Sequence, residues 1–114
     1  IGLMCEDYFL YFEELDWAFR SAGRYKMGYA PSSHVFHKAG ASTMQIQSEF
    51  SLDLLLRNRV RFVARFLPAL LPRLRRALSW ELIRHILKLR WTQAKLTSRT
   101  LREFDALVAS LNAR

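Results

Sequence analysis

Residues 25–50, YKMGYAPSSHVFHKAGASTMQIQSEF, carry the change of texture that decides the fold. Apolar and polar side chains alternate over 25–30, as they do in a strand with one covered face, and Pro31 ends the run. Residues 34–37 (HVFH) suit a second short strand. Residues 38–43 (KAGAST) are small, and small residues suit a loop that approaches a ligand closely. From about Gln45 the pattern becomes helical. The spacing therefore predicts an α/β piece with two short strands over residues 1–44, followed by a helical extension over 45–114.

Outward from this junction the N-terminal side is mixed. Residues 1–12 (IGLMCEDYFLYF) are apolar and aromatic around Glu6 and Asp7. Residues 13–22 read as a helix, with acids in the first turn, Arg20 near the end and Gly23 as a stop. Leu15, Phe19 and Ala22 make its expected inward stripe. On the C-terminal side one helix is expected to run to about Leu67, where Pro68 and Pro72 force a break. A second is expected from Arg73 to about Trp91, carried by Leu74, Leu78, Leu82, Ile86 and Leu89. A third should start near Ser98, a suitable cap, and place Leu101, Phe104, Leu107, Val108 and Leu111 on one face.

Composition narrows the class. The chain has 114 residues, 51% of them hydrophobic and 13% aromatic, which excludes a disordered polymer and allows one modest core. The net charge of +8 is unevenly placed: four Lys/Arg against six Asp/Glu over 1–50, fourteen against four over 51–114. The single Cys5 allows no internal disulfide and suits a reducing compartment, so a cytoplasmic setting is expected. The chain starts on Ile1 without a leader pattern, which reads as a break in a longer polypeptide. The most apolar window, VRFVARFLPALLP, is interrupted by Arg61, Arg65 and proline and is not expected to span a membrane.

Three features carry potential chemistry: the acids Glu13, Glu14 and Asp16, the histidines His34 and His37, and the small-residue loop after His37. A carboxylate near an acceptor hydroxyl can take its proton as the oxygen attacks. A neutral imidazole can complete a divalent-metal site on a diphosphate. The plainer alternative is that first-turn acids merely stabilise the helix and the histidines are ordinary surface or core residues. Spacing alone leaves both open.

The runs EDYFLYFEELDWAFR (6–20) and GRYKMGYAPSSHVFHKAGAST (23–43) closely resemble the stretch that follows the nucleotide-binding half of family 2 inverting glycosyltransferases. The residues that carry the likeness include Asp7, Phe9, Tyr11, Glu13, Glu14, Asp16 and Arg20, then Gly28, Tyr29, Pro31, Val35, His37, Lys38, Gly40 and Ser42. Downstream, RNRVRF (57–62) followed by Pro68 resembles the start of the C-terminal helices in rhamnosyltransferase-like members.

The resemblance implies a GT-A (Rossmann-like) parent fold and a residue-by-residue set of roles. Glu14 stands where the family usually places an Asp as catalytic base, with Glu13 beside it to position the acceptor or support the base. Asp16 and Arg20 fall at supporting or helix-anchoring positions, Asp16 on the catalytic side and Arg20 on the diphosphate side. His37 matches a metal ligand that works together with an Asp-x-Asp pair on Mg²⁺ or Mn²⁺. Lys38, Gly40 and Ser42 match the loop near the diphosphate, whereas His34 matches nothing. The implied donor is a nucleotide sugar such as dTDP-rhamnose, and the implied acceptor is a lipid-linked or cell-surface glycan. The Gly/Ala-rich first strand, the base-reading Asp and the Asp-x-Asp motif are all missing, so the isolated chain is expected to be inactive.

The basic tail supports another expectation. Arginines between Leu, Phe, Ile and Trp suit a helix lying on an anionic membrane surface, peripheral on the inner face of the cell membrane, with Trp80 and Trp91 at interfacial depth. The plainer alternative for the tail is a solvated face over a helical core, and a non-enzymatic basic module that binds membrane or a partner protein is the class that competes with the enzyme. No recognition motif supports nucleic-acid binding.

Overall fold

The computed structural model of the protein describes residues 1–26, 28–36 and 48–112. The described residues form five α-helices: α1 (Glu13–Ser21), α2 (Glu49–Phe66), α3 (Leu71–Leu87), α4 (Trp91–Arg102) and α5 (Phe104–Asn112), with a 3-10 turn at Pro68–Leu70 before α3.

The expected α/β architecture is overturned: no strand occurs among the described residues, and the fold is all-helical. Alternation specifies one face of a strand, but a strand also needs a neighbour to take its backbone hydrogen bonds. Among the described residues no such neighbour exists, and the side chains meant for a covered face lie in solvent. Tyr29 is 90% exposed and Phe36 fully so. Residues 27 and 37 of the two expected strands lie outside the described residues.

Helix boundaries follow local chemistry. Ser48 caps α2, its hydroxyl accepting from the Ser51 N–H at 3.1 Å. Pro68 ends α2 as expected, since the residue before a proline is driven out of the helical region, and Leu67 sits at φ −138°, ψ 49°. Pro72 behaves differently from the expectation. It occupies the first turn of α3, where a missing N–H costs nothing, so it starts a helix instead of breaking one.

The expected helix over 73–91 stops early, and the third helix begins earlier than Ser98. After Leu87 the chain turns: Arg90 N–H donates to His85 C=O at 2.9 Å and Leu89 N–H to Ile86 C=O at 3.0 Å. This pair of bonds is a Schellman motif, with Leu89 at φ 53° in the place glycine usually takes. Ser98 consequently lies inside α4 and caps nothing.

The core is built by α2 to α5. Val60, Leu74, Leu78, Phe104 and Leu107 are buried together, with Leu56, Val63, Leu71, Leu101 and Val108 packed around them. The helix α3 lies closest to α4, and α2 crosses both and meets α5. The helix α1 leans on α2 through aromatic rings: Phe12 and Phe19 lie 5.3 and 5.0 Å from Phe62, and Phe19 lies 5.3 Å from Phe66. Its inward side is therefore Phe12, Asp16 and part of Phe19, not the expected stripe, since Leu15 is 49% exposed. Among the described residues no helix is long and apolar enough to cross a membrane.

Candidate functional site

The acid cluster opens α1, and the approach to it is strained. Tyr11 and Phe12 both take positive φ, 66° and 73°, immediately before Glu13. Left-handed backbone at a bulky residue costs on the order of 1–3 kcal/mol and persists only where surroundings hold it. Asn58 of α2 supplies the hold. Its side-chain amide donates to Leu10 C=O at 2.7 Å and Tyr11 C=O at 3.3 Å. Arg61 donates in turn to Asn58 Oδ1 at 3.2 Å and to Asp7 C=O at 3.3 Å. The Phe12 ring on Phe62 completes the clamp, and the Asp16 N–H donates to Phe12 C=O at 2.8 Å.

The three carboxylates then separate sharply. Asp16 is fully buried. Its Oδ1 accepts from Arg20 Nε at 2.7 Å, and Arg65 Nη1 stands 3.0 Å from Oδ2, close enough for charge attraction but off the line of a hydrogen bond. The same Arg65 nitrogen donates to Cys5 Sγ at 3.3 Å. Glu13 is half-buried, and its Oε2 is covered without a hydrogen-bond partner. Glu14 is exposed on the first turn. A carboxylate there sits at the positive end of the helix dipole, facing water.

Arg20 is fully engaged. Besides Asp16 it donates from Nη1 to Ile1 C=O at 2.6 Å and from Nη2 to Leu3 C=O at 2.7 Å, and Trp17 Nε1 donates to Gly2 C=O at 3.3 Å. These bonds wrap residues 1–3 over α1. Arg20 and Asp16 thus anchor the helix and its N-terminal strap. Tyr8, only 4% exposed, lies beneath them; burial first, then the nearby Asp16 charge, pushes its phenol up to about 12.

His37, Lys38, Gly40 and Ser42 lie outside the described residues. Among the described residues no group of three or more His, Cys, Asp or Glu could hold a metal ion. Asp16 in particular has both oxygens turned to arginines, so the acid cluster alone does not fit the divalent ion that the resemblance implies.

Tertiary contacts supply the residues that sequence reasoning missed. Asn58, Arg61 and Arg65 recur on one side of α2 and hold the approach to Glu13 and Glu14. The likeness of RNRVRF to a family motif was the one available signal, and it gave no role.

A second charged region lies at the far end of α3. Glu81, Arg84, His85, Lys88 and Arg90 surround a recess of about 280 Å³. Arg59 engages Glu81 at 3.1 Å from the α2 side. Comparison of the chain with protein-family models, with curated protein sequences and with solved structures finds no match in any of the three.

Proposed function

We propose that this chain is the acceptor-side part of an inverting glycosyltransferase, with Glu14 as the general base. One observation carries the reading. Within a three-acid cluster, Asp16 is buried and ion-paired while Glu14 stays exposed on a clamped first turn, in the arrangement a base and its support would need. The backbone strain at Tyr11 and Phe12 adds support, because strain held by side-chain clamps concentrates where a group must be aimed.

In the reaction Glu14 takes the proton of an acceptor hydroxyl as its oxygen bonds to the anomeric carbon. The bond from that carbon to the diphosphate breaks on the opposite face, the nucleoside diphosphate leaves, and configuration inverts. A nucleotide sugar is the donor class, dTDP-rhamnose by resemblance, and a glycan hydroxyl is the acceptor. A divalent ion would stabilise the leaving diphosphate, but its ligands would have to come from beyond Glu13, Glu14 and Asp16.

The test is Glu14→Gln in a polypeptide that also carries a donor-binding half. Turnover should fall about 10²- to 10⁴-fold, the usual worth of a positioned base, with the helical signal unchanged. Undiminished turnover would remove Glu14 from the chemistry. The 114-residue chain alone should transfer no sugar.

The competing reading, a basic helical module without catalysis, draws on a different observation: the outward side of α3 is apolar and basic at once.

A further inference from the structure

The outward side of α3 lies directly opposite its buried side. At 100° per residue, Arg73, Arg76, Trp80, Ile83, Arg84 and Leu87 share one stripe, and Leu74 and Leu78 point the other way into the core. Trp80 is 67% exposed, Ile83 45% and Leu87 77%. The stripe continues into the turn after the helix, where Leu89 and Trp91 are 70% and 64% exposed. From residue 73 to 87 it is about 21 Å long at 1.5 Å per residue.

Its charges differ from those of four paired arginines on α2, α3 and α4. Arg57, Arg59, Arg75 and Arg99 each meet a carboxylate within 4 Å. Among the described residues no such partner reaches Arg73, Arg76, Arg84, Lys88 or Arg90. The one acid of α3, Glu81, turns toward α2 and pairs with Arg59. The stripe therefore interleaves exposed apolar side chains with basic ones and carries no acid.

We propose that this stripe docks the protein on an anionic lipid bilayer, with α3 lying in the plane of the surface. Tryptophan rings settle at the depth where acyl chains meet headgroups, and long basic side chains bury their stems while their heads reach lipid phosphates. The recess among Glu81, Arg84, His85, Lys88 and Arg90 offers room for one such phosphate, its single carboxylate already paired with Arg59. A second copy of the chain fits poorly, because two-fold pairing would set these unpaired cations against one another. The inference stands whether or not Glu14 is a base.

Flotation of the 114-residue protein with vesicles tests it. The protein should rise with phosphatidylcholine vesicles containing 30% phosphatidylglycerol, remain behind with pure phosphatidylcholine, and be released by high salt. Each basic contact is worth about fivefold in partition, so Arg84→Gln with Lys88→Gln should weaken binding about 25-fold. Trp80→Ala with Leu87→Ala should also abolish flotation, and because both side chains are exposed the helical signal should persist. Arg99→Gln, at a paired arginine of α4, should bind as the parent does. Equal partition onto neutral and anionic vesicles would overturn the proposal, as would binding indifferent to both double variants while their helicity is intact.

Discussion

Tyr8 buries its phenol with no hydrogen-bond partner, and the consequence is a dependence on alkali. Its pKa rises from 10.0 to about 12, chiefly through burial. The folded state therefore holds this proton more tightly than the unfolded chain does. The stabilisation is complete below pH 10 and disappears as pH climbs from 10 to 12. Urea midpoints should be level up to pH 9.5 and then fall. Tyr8→Phe should flatten that fall and alter stability little at pH 7, because the lost hydroxyl satisfied nothing. A fall of equal size in the variant would assign it to other groups. Asn58 is the opposite case, a buried amide whose bonds all matter. Asn58→Ala should cost about 2–3 kcal/mol, measurable by denaturant unfolding, since it strands two carbonyls beside a strained turn. The local i,i+4 spacing brings Asp16 and Arg20 together. The sequence could not show that Arg65, 49 positions beyond Asp16, would be the second partner, because that contact exists only once α1 lies on α2.

Helix α1 was readable from its acids, its basic end and Gly23, which takes φ 77° just past the C-terminus. The stop at Pro68 was readable for the same local reason. The turn between α3 and α4 was not, because Leu89 occupies a glycine position and the leucine spacing runs straight through it. That mismatch predicts a stabilising substitution. Leu89 is 70% exposed, so Leu89→Gly loses little packing and relieves a left-handed leucine. Offset by the greater freedom of glycine in the unfolded chain, the gain should be about 0.5–1 kcal/mol, a thermal midpoint a few degrees higher. A lower midpoint would mean that the leucine side chain holds the turn. The strand expectation over 25–36 failed for a different reason. Alternation reports a covered face, and what covers it cannot be read from the segment itself.

At the scale of the whole molecule the two ends are held by different forces. Helices α2 to α5 share the apolar cluster around Val60, Leu78 and Phe104. Residues 1–21 contribute Tyr8, Asp16 and Ser21 to the buried set and are held by the Phe12 and Phe19 rings on Phe62 and Phe66 together with arginine and asparagine clamps. Directed polar clamps are lost together when one member goes, whereas an apolar core is spread over many contacts. The N-terminal unit should therefore open as a group before the helical core. Native-state amide exchange in rising urea should show the α1 amides merging at a lower free energy than those of central α2 and α3. Arg65→Ala removes a partner of the buried Asp16 carboxylate, so it should lower the α1 opening energy by roughly 1–3 kcal/mol, reduced from the fully buried case because Arg65 is 36% exposed. Protection at Leu74 and Leu78 should stay within experimental error. If α1 and α3 exchanged at one common free energy in both proteins, the molecule would be a single cooperative unit and the clamps would be part of its core.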